Sequence, residues 1–521
     1  MRFVLGLLCL PGLLCAQFDV LIANGKIVDG SGNPWFYGDV GIRGDSIAAV
    51  GNLRSATAAE KIDAHGLVIA PGFIDIHSHG RRGIFEVPTA ESYLREGVTT
   101  FVEGPDGSSP VPLAPFLAKL AATPISVNVA SFVGHGSIRE AVMGLVDRRA
   151  TPAEVEKMKA LAHQAMLDGA VGLSTGLFYV PGNYANTEEV IEIAKVVGVM
   201  GGFHQSHMRE ETDHVLDSVK ETIRIGEEGG LPTQVTHHKI IGSANWGASV
   251  ATLKLIDEAR ARGVDVTIDQ YPYTASSTGI AALFPQWSQA GGHAALVERL
   301  NAPASREKIR NEIIVNIRDG RGGGDPKNIV IARCGFDASL AGKSLADLTK
   351  SRGVAVSNES AADTAIELIR KGSCSAVYHA IGEEDVERIM RSPYTMIASD
   401  GEIPVFGVDA PHPRSYATFS RVLAVYVREK HVLTLEDAVR KMSGMPAERL
   451  KFFDRGMLRP GMKADVVVFD PATVSDKSTF EKPHQYSTGF EDVFVNGKAV
   501  LKAGKVTAER SGRVLYGPAK Q

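Results

Sequence analysis

Eight short apolar runs, at residues 73–77, 99–103, 125–131, 171–175, 202–206, 232–236, 264–269 and 395–399, restrict the fold of this chain more than anything else in it. Each is too short for a helix and near-continuously apolar, so each reads as a strand covered on both faces. Amphipathic windows such as 151–167 and 187–197 separate several of them. Strand–helix alternation with buried strands predicts a parallel sheet, and eight repeats predict an α/β fold in the form of a (β/α)8 barrel. The 54 glycines, against 7% aromatic residues, suit a chain that turns tightly between strand and helix.

The flanks read differently. Residues 17–70 alternate in short runs, as in Asp19-Val20-Leu21-Ile22-Ala23, with turns at Asn24-Gly25 and Asp29-Gly30. This is the pattern of strands and hairpins. It returns within 447–521, in Ala464-Asp465-Val466-Val467-Val468-Phe469 and Val493-Phe494-Val495-Asn496-Gly497. Together they predict one small β-sandwich built from both ends of the chain around a barrel at 71–446. The stretch from Tyr273 to Thr395 is too long for one strand–helix unit. It predicts an insertion after the seventh strand, at about 280–390, with a charged helix near 306–318 and a further strand at 329–334. Between them, Gly320-Arg321-Gly322-Gly323-Gly324 reads as mobile.

Residues 1–16 begin with the basic Arg2, continue as an apolar stretch interrupted by Pro11-Gly12, and end in Leu14-Cys15-Ala16. That is the form of a cleaved secretory signal peptide, and it predicts an exported protein, periplasmic or secreted. Cleavage removes Cys9 and Cys15, leaving Cys334 and Cys374, enough for one disulfide. The stretch is too short and broken to span a bilayer. A formal net charge of −4 leaves no polyanion footprint. Neither a membrane span nor a nucleic-acid partner is expected, and nothing in the sequence signals an oligomeric state.

In a barrel of this kind chemistry sits at the C-terminal ends of the strands. His77 and His79 end the first, and a spacing of two puts both imidazoles on one side of a strand, as two bonds to one metal require. His207 follows the fifth strand, His237 the sixth and Asp400 the eighth. One such histidine would be an ordinary loop residue. Five candidate ligands at four strand ends predict a metal centre. His163, His204, His214 and His238 fall on helices or in the wrong strand phase and carry no such expectation.

This constellation resembles the amidohydrolase superfamily, with its His-x-His after the first strand, single histidines after the fifth and sixth, and an aspartate after the eighth. Within that superfamily the chain is similar to the N-acyl-D-amino-acid deacylases, or D-aminoacylases. The matching stretches are Gly97-Val98-Thr99-Thr100, Gly172-Leu173-Ser174-Thr175-Gly176-Leu177-Phe178-Tyr179-Val180-Pro181-Gly182, Ser206-His207-Met208-Arg209-Glu210-Glu211, Thr236-His237-His238-Lys239, Tyr271-Pro272-Tyr273-Thr274-Ala275, Ser399-Asp400-Gly401 and His412-Pro413-Arg414. The resemblance implies one or two Zn²⁺ per chain and hydrolysis of N-acyl-D-amino acids, small-molecule substrates, to a free D-amino acid and a carboxylate. It departs at one place. Many D-aminoacylases present a zinc-binding cysteine after the second strand in Gly-Asn-Cys-Gly, where this chain has Gly104-Pro105-Asp106-Gly107. Position favours Asp106 as the replacement ligand; strand phase favours Glu103, which is expected to lie near the metals. Neither is a lysine, so a carboxylated lysine bridge is not expected here.

The implied chemistry is that of Zn²⁺, which lowers the pKa of bound water from 15.7 to about 7 and polarises an acyl oxygen. Asp400 would take the water's proton and return it to the leaving amine. Arg414, with its bidentate fork, suits the substrate carboxylate, and Lys239 and Tyr271 match family positions that contact it. Tyr179 and Ser277 are expected to line the same pocket. Three other readings compete. Gly172-Leu173-Ser174-Thr175-Gly176 fits the G-x-S-x-G of a serine hydrolase, but an open, proline-containing loop follows it where a nucleophile elbow needs a helix. The same barrel could serve a dihydroorotase- or hydantoinase-like cyclic amidase, or a dipeptidase cutting before a D-residue. A catalytically dead secreted binding protein is the third, against which the intact ligand set argues.

Overall fold

The structure, a computed structural model, describes residues 17–520; the expected signal segment lies outside the described residues. All eight barrel strands form where the apolar runs lie: Phe73–Asp75, Val98–Glu103, Asn128–Ser131, Gly172–Gly176, Phe203–His207, Thr233–Val235, Val266–Gln270 and Thr395–Ile397. Their ladders are parallel and follow chain order, as a three-stranded and a six-stranded sheet. Two joins complete the ring. Past Phe132 the third strand continues as Val133–Gly134, which pairs with the fourth. The first and eighth strands meet beyond their ends, where Ser78 bridges Gly401 and the Asp400 amide donates to the His77 carbonyl at 2.9 Å.

The strands form as they do because both faces are covered. Every residue of Val98–Glu103 is buried, and one apolar cluster joins Ile74, Val102, Ala130, Phe203 and Met396 from five different strands with Val171, just before the fourth. The outer helices carry local signals that agree with their sequence. Pro152–Asp168 starts at a capping box between Thr151 and Glu154 and stops at Gly169, whose φ of 117° suits glycine.

Both ends of the chain enter one nine-stranded sheet. Its junction is antiparallel pairing of Val68–Pro71, from the N-terminal part, with Val466–Phe469, from the C-terminal part. Strand Phe18–Ile27 is a branch point, with Phe36–Arg43 on one side and both Ala58–Asp63 and Val68–Pro71 on the other. Ile22, Ile27, Val40, Ile69, Val466 and Phe494 pack between these strands as their own core.

After the seventh barrel strand the chain leaves the ring, and an antiparallel sheet of Ser276–Gly279, Cys374–Tyr378 and Ile329–Cys334 forms with a separate apolar core. The charged helix spans Pro303–Asp319 and the strand at Ile329–Cys334 falls at the expected residues. The glycine run is packed, which corrects the expectation of mobility: a Cβ on Gly322 would meet the Ile317 carbonyl oxygen at 2.3 Å, and Arg321 is buried. Cys334 and Cys374 are disulfide-bonded across 40 residues. Closing a loop of that size restricts the unfolded chain by about 4 kcal/mol in the chain-entropy description. Replacing both cysteines by alanine is expected to lower the stability of the insertion by an amount of that order. Urea unfolding of the double variant checks it.

Candidate active site

The residues expected at the strand ends converge on one centre. His77 is fully buried and His79 partly so. Ligand atoms of His77, His79, Asp106 and Asp400 lie within 4.8 Å of one another, as do those of Asp106, His207 and His237. Asp106 belongs to both groups. Its Oδ1 is 3.5 Å from His77 Nε2, 3.6 Å from His207 Nδ1 and 3.5 Å from His237 Nε2, and its Oδ2 is 3.4 Å from His79 Nε2. Asp400 Oδ1 closes the first group, 3.4 Å from His77 Nε2 and 3.1 Å from His79 Nε2.

The structure places the two carboxylates after the second strand differently. The backbone reverses at Gly104 (φ 81°) and stays left-handed at Asp106 (φ 56°) and Gly107 (φ 74°), which brings the Asp106 carboxylate back over the strand ends. Ser174 pins the turn by donating to the Gly104 carbonyl at 2.6 Å and accepting from the Gly107 amide at 3.1 Å. Glu103 instead accepts from Ser131 Oγ at 3.0 Å and lies 3.5 Å from Arg81 Nε, outside both groups. The expectation that Glu103 lies among the ligands is corrected. Ser174 is fully buried within a strand and already bonded, so the serine-hydrolase reading of that motif fails as well.

Partners behind the ligands fix their orientation. His77 Nδ1 is 3.0 Å from Thr236 Oγ1. Asp269, at the end of the seventh strand, accepts from the Thr236 hydroxyl, from the His237 amide at 2.7 Å and from the Gln205 and Gln234 amides. His237 Nδ1 lies 2.7 Å from Lys239 Nζ and 3.3 Å from Glu211 Oε1. His207 Nδ1 and His237 Nε2 are 2.6 Å apart. Burial and the neighbouring His237 push His207 down to about 4. Burial and Lys239 oppose charge on His237, but Asp106 and Glu211 hold it up at about 9. Burial also disfavours a charged Asp400, yet Arg414 and His77 keep its carboxyl well below the usual carboxylate range.

The donor set fits a divalent metal. His77 Nε2 and Asp106 Oδ1 are buried and have no hydrogen-bond partner among the described residues, and both belong to the ligand groups. Four imidazoles and two carboxylates are the N/O donors a zinc site uses, and the Thr236 and Glu211 contacts are the outer partners such ligands carry.

A cavity of about 300 Å³ opens on this centre. Arg414 Nη1 lies 2.8 Å from Asp400 Oδ2, its Nη2 donates to the Ser277 carbonyl at 3.3 Å, and its guanidinium lies 4.8 Å from the Tyr271 ring. The Tyr271 hydroxyl is buried without a partner. Tyr179 bonds Thr278 at 3.0 Å, so the barrel loop and the inserted sheet close one wall. Tyr179, Lys239, Tyr271, Ser277 and Arg414 thus all line the cavity, as expected. Glu211 and Arg321 also line it, buried, and were not anticipated. Glu211 sits four residues past His207 and had only that proximity to recommend it.

The profile of the Amidohydrolase family matches residues 60–507. The chain belongs to the Amidohydrolase family. This amidohydrolase is 38% identical to a D-aminoacylase of Alcaligenes xylosoxydans xylosoxydans, over 96% of its own length and 97% of the relative's. It is also 38% identical to an N-acyl-D-glutamate deacylase of the same organism, over 96% of each. Among solved structures, the N-acyl-D-glutamate deacylase of Bordetella bronchiseptica, complexed with zinc and a phosphonate mimic of the tetrahedral intermediate, superposes with a TM-score of 0.82. That match has 36% identity and covers 96% of the amidohydrolase and 100% of the other chain.

Proposed function

We propose that this amidohydrolase cleaves the amide bond of N-acyl-D-amino acids, releasing a free D-amino acid and a carboxylate, with Zn²⁺ held by His77, His79, Asp106, His207, His237 and Asp400. One observation carries the reading: the two ligand groups that share Asp106 face the same cavity as the Arg414, Lys239 and Tyr271 cradle. The relatives named above act on the same substrate class. Zn²⁺ in this position supplies a water acidified to a pKa of about 7 and a polarised acyl oxygen.

The chain's own residues do the rest. Asp400 is ionised and stands between His79, at 3.1 Å, and Arg414 of the cradle, at 2.8 Å, so it accepts the attacking water's proton and delivers it to the leaving nitrogen. Arg414 and Lys239 hold the α-carboxylate, with the free Tyr271 hydroxyl as a third donor. Burial of these cations keeps water from competing for the carboxylate. A hydantoin ring offers no such carboxylate, so the cradle argues against a hydantoin; a dihydroorotate-like ring, which carries a carboxylate, is separated only by the turnover test.

The test is turnover of N-acetyl-D- and N-acetyl-L-amino acids with and without a chelator. Loss of D-turnover on chelation and its return with Zn²⁺ are expected. Equal rates on both enantiomers sink the D-specific reading, and turnover unaffected by chelation sinks the metal. Export from the cytosol belongs to the same proposal. Its support is the signal-like composition of residues 1–16 and the Cys334–Cys374 disulfide, a bond that persists in oxidising compartments.

A further inference from the structure

Of the stretch His412-Pro413-Arg414, the arginine lies in the carboxylate cradle and the histidine packs behind it. Arg414 stands far along the chain from Asp400, its partner at 2.8 Å. The residues between, 402–411, form neither helix nor strand and leave Val405, Phe406 and Val408 exposed. Such a loop does not by itself hold a guanidinium to the tolerance a binding group needs, so a supporting contact is required.

His412 supplies it. Its ring is buried, and backbone groups engage both nitrogens. Nε2 lies 3.0 Å from the Ala275 carbonyl oxygen, and the Arg414 amide donates to Nδ1 at 3.0 Å. A carbonyl can only accept and an amide N–H can only donate, so the ring is neutral with its proton on Nε2. Burial and the adjacent Arg414 hold it well below the usual histidine range. Neither nitrogen is left for a metal or a substrate. Pro413 opens the helix Arg414–Arg421, whose first amide needs an acceptor from outside the helix, and Nδ1 is that acceptor. Thr418 Oγ1 meets the other side of the same residue, donating to the Arg414 carbonyl at 3.0 Å. Tyr273 and Phe480 each meet the imidazole edge to face, with centroids 5.0 Å away, and fix its orientation. Ala275 lies between Tyr271 and Ser277, so one imidazole joins the segment after the seventh strand to the segment after the eighth. Those two segments carry Tyr271, Asp400, Arg414 and the Ser277 carbonyl that accepts from Arg414 Nη2.

We propose that His412 is the positioning residue of the cradle, holding the Arg414 backbone so that its fork meets the substrate carboxylate. What Arg414 binds rests on the deacylase reading above; where it stands does not. Two variants of the zinc-loaded protein separate the ring's two bonds. His412→Asn sets an oxygen near the place of Nδ1 and keeps an acceptor for the Arg414 amide, whereas His412→Gln sets its amide near Nε2 and keeps only the bond to Ala275. On an N-acetyl-D-amino acid that wild type cleaves, the glutamine variant is expected to lose roughly 10-fold in kcat/KM, mostly in KM, the scale of one lost hydrogen bond. The asparagine variant is expected to stay within about threefold of wild type. In an Arg414→Met background the glutamine change should cost less than about twofold more, because its effect passes through Arg414. Equal losses in the two variants, a greater loss in asparagine, or an undiminished loss beside Arg414→Met overturns the proposal. If the glutamine variant does not fold, a loss beyond about 10-fold in the asparagine variant alone overturns it. Crystal structures of the variants decide the matter without turnover: Arg414 displaced from Asp400 in the glutamine variant alone is expected, and Arg414 unmoved there overturns the proposal. If wild type cleaves no N-acyl-D-amino acid, it is the deacylase reading that has failed, and the crystal structures still judge His412.

Discussion

Asp400→Asn is expected to fold normally and to lower kcat by roughly 10³-fold, the scale of a lost general acid–base group. Asparagine is isosteric with aspartate and tolerates the left-handed backbone found at this position (φ 50°). The amide can still accept from Arg414, 2.8 Å away in the present structure. What disappears is the capacity to take a proton and the charge that approaches His77 and His79. The melting temperature is expected to fall, because the buried Arg414 loses its counter-charge, while the variant still folds and turnover collapses. Activity within tenfold of wild type would remove Asp400 from the mechanism.

The second large effect is on metal retention. Asp106 is the one residue common to both ligand groups, and its two oxygens face four imidazoles at 3.4–3.6 Å. Asp106→Asn also suits its left-handed backbone (φ 56°), so the turn pinned by Ser174 should survive. Loss of the charge is expected to weaken metal binding by at least about 100-fold, since removing even an outer partner of a ligand costs 10–100-fold. Competition with a chromophoric chelator measures this directly, without reference to turnover. Glu103→Gln is the matched control, because Glu103 bonds Ser131 and lies beside Arg81. Equal metal loss in the two variants would overturn the assignment of Asp106.

Those two acids also show what a linear sequence can convey. The eight barrel strands were legible because burial on both faces leaves short runs rich in β-branched and aromatic residues, as in the fully buried Val98–Glu103. The histidines were legible because strand ends are where barrel chemistry collects, and His77 and His79 share a face by simple alternation. Strand phase then failed at Glu103, because alternation ends where the strand does. Beyond it, Gly104 and Asp106 reverse the backbone, and no periodicity describes that. The inserted sheet was half legible. Ile329–Cys334 is an apolar run, whereas Ser276–Gly279 reads Ser-Ser-Thr-Gly and becomes a strand only by pairing with Cys374–Tyr378. Arg321 was hidden by composition: a glycine run suggests slack, but here the missing side chains allow close packing against Ile317 and Asn316.

The seam where the first strand meets the eighth has a thermodynamic meaning. Few links hold it among the described residues, chiefly the Asp400 amide on the His77 carbonyl, the His79 amide on the Gly401 carbonyl at 2.7 Å, and the Ser399 amide on the Asp75 carboxylate at 2.9 Å. His77 and His79 stand on one lip and Asp400 on the other. An ion held by all three would act as a rivet across this join. Its binding energy is then shared with the closure of the barrel, and the folded state gains RT ln(1 + [ion]/Kd) that the unfolded chain does not. Stripping the ion should loosen this seam before any other, visible as amide exchange rising first in residues 74–79 and 397–401.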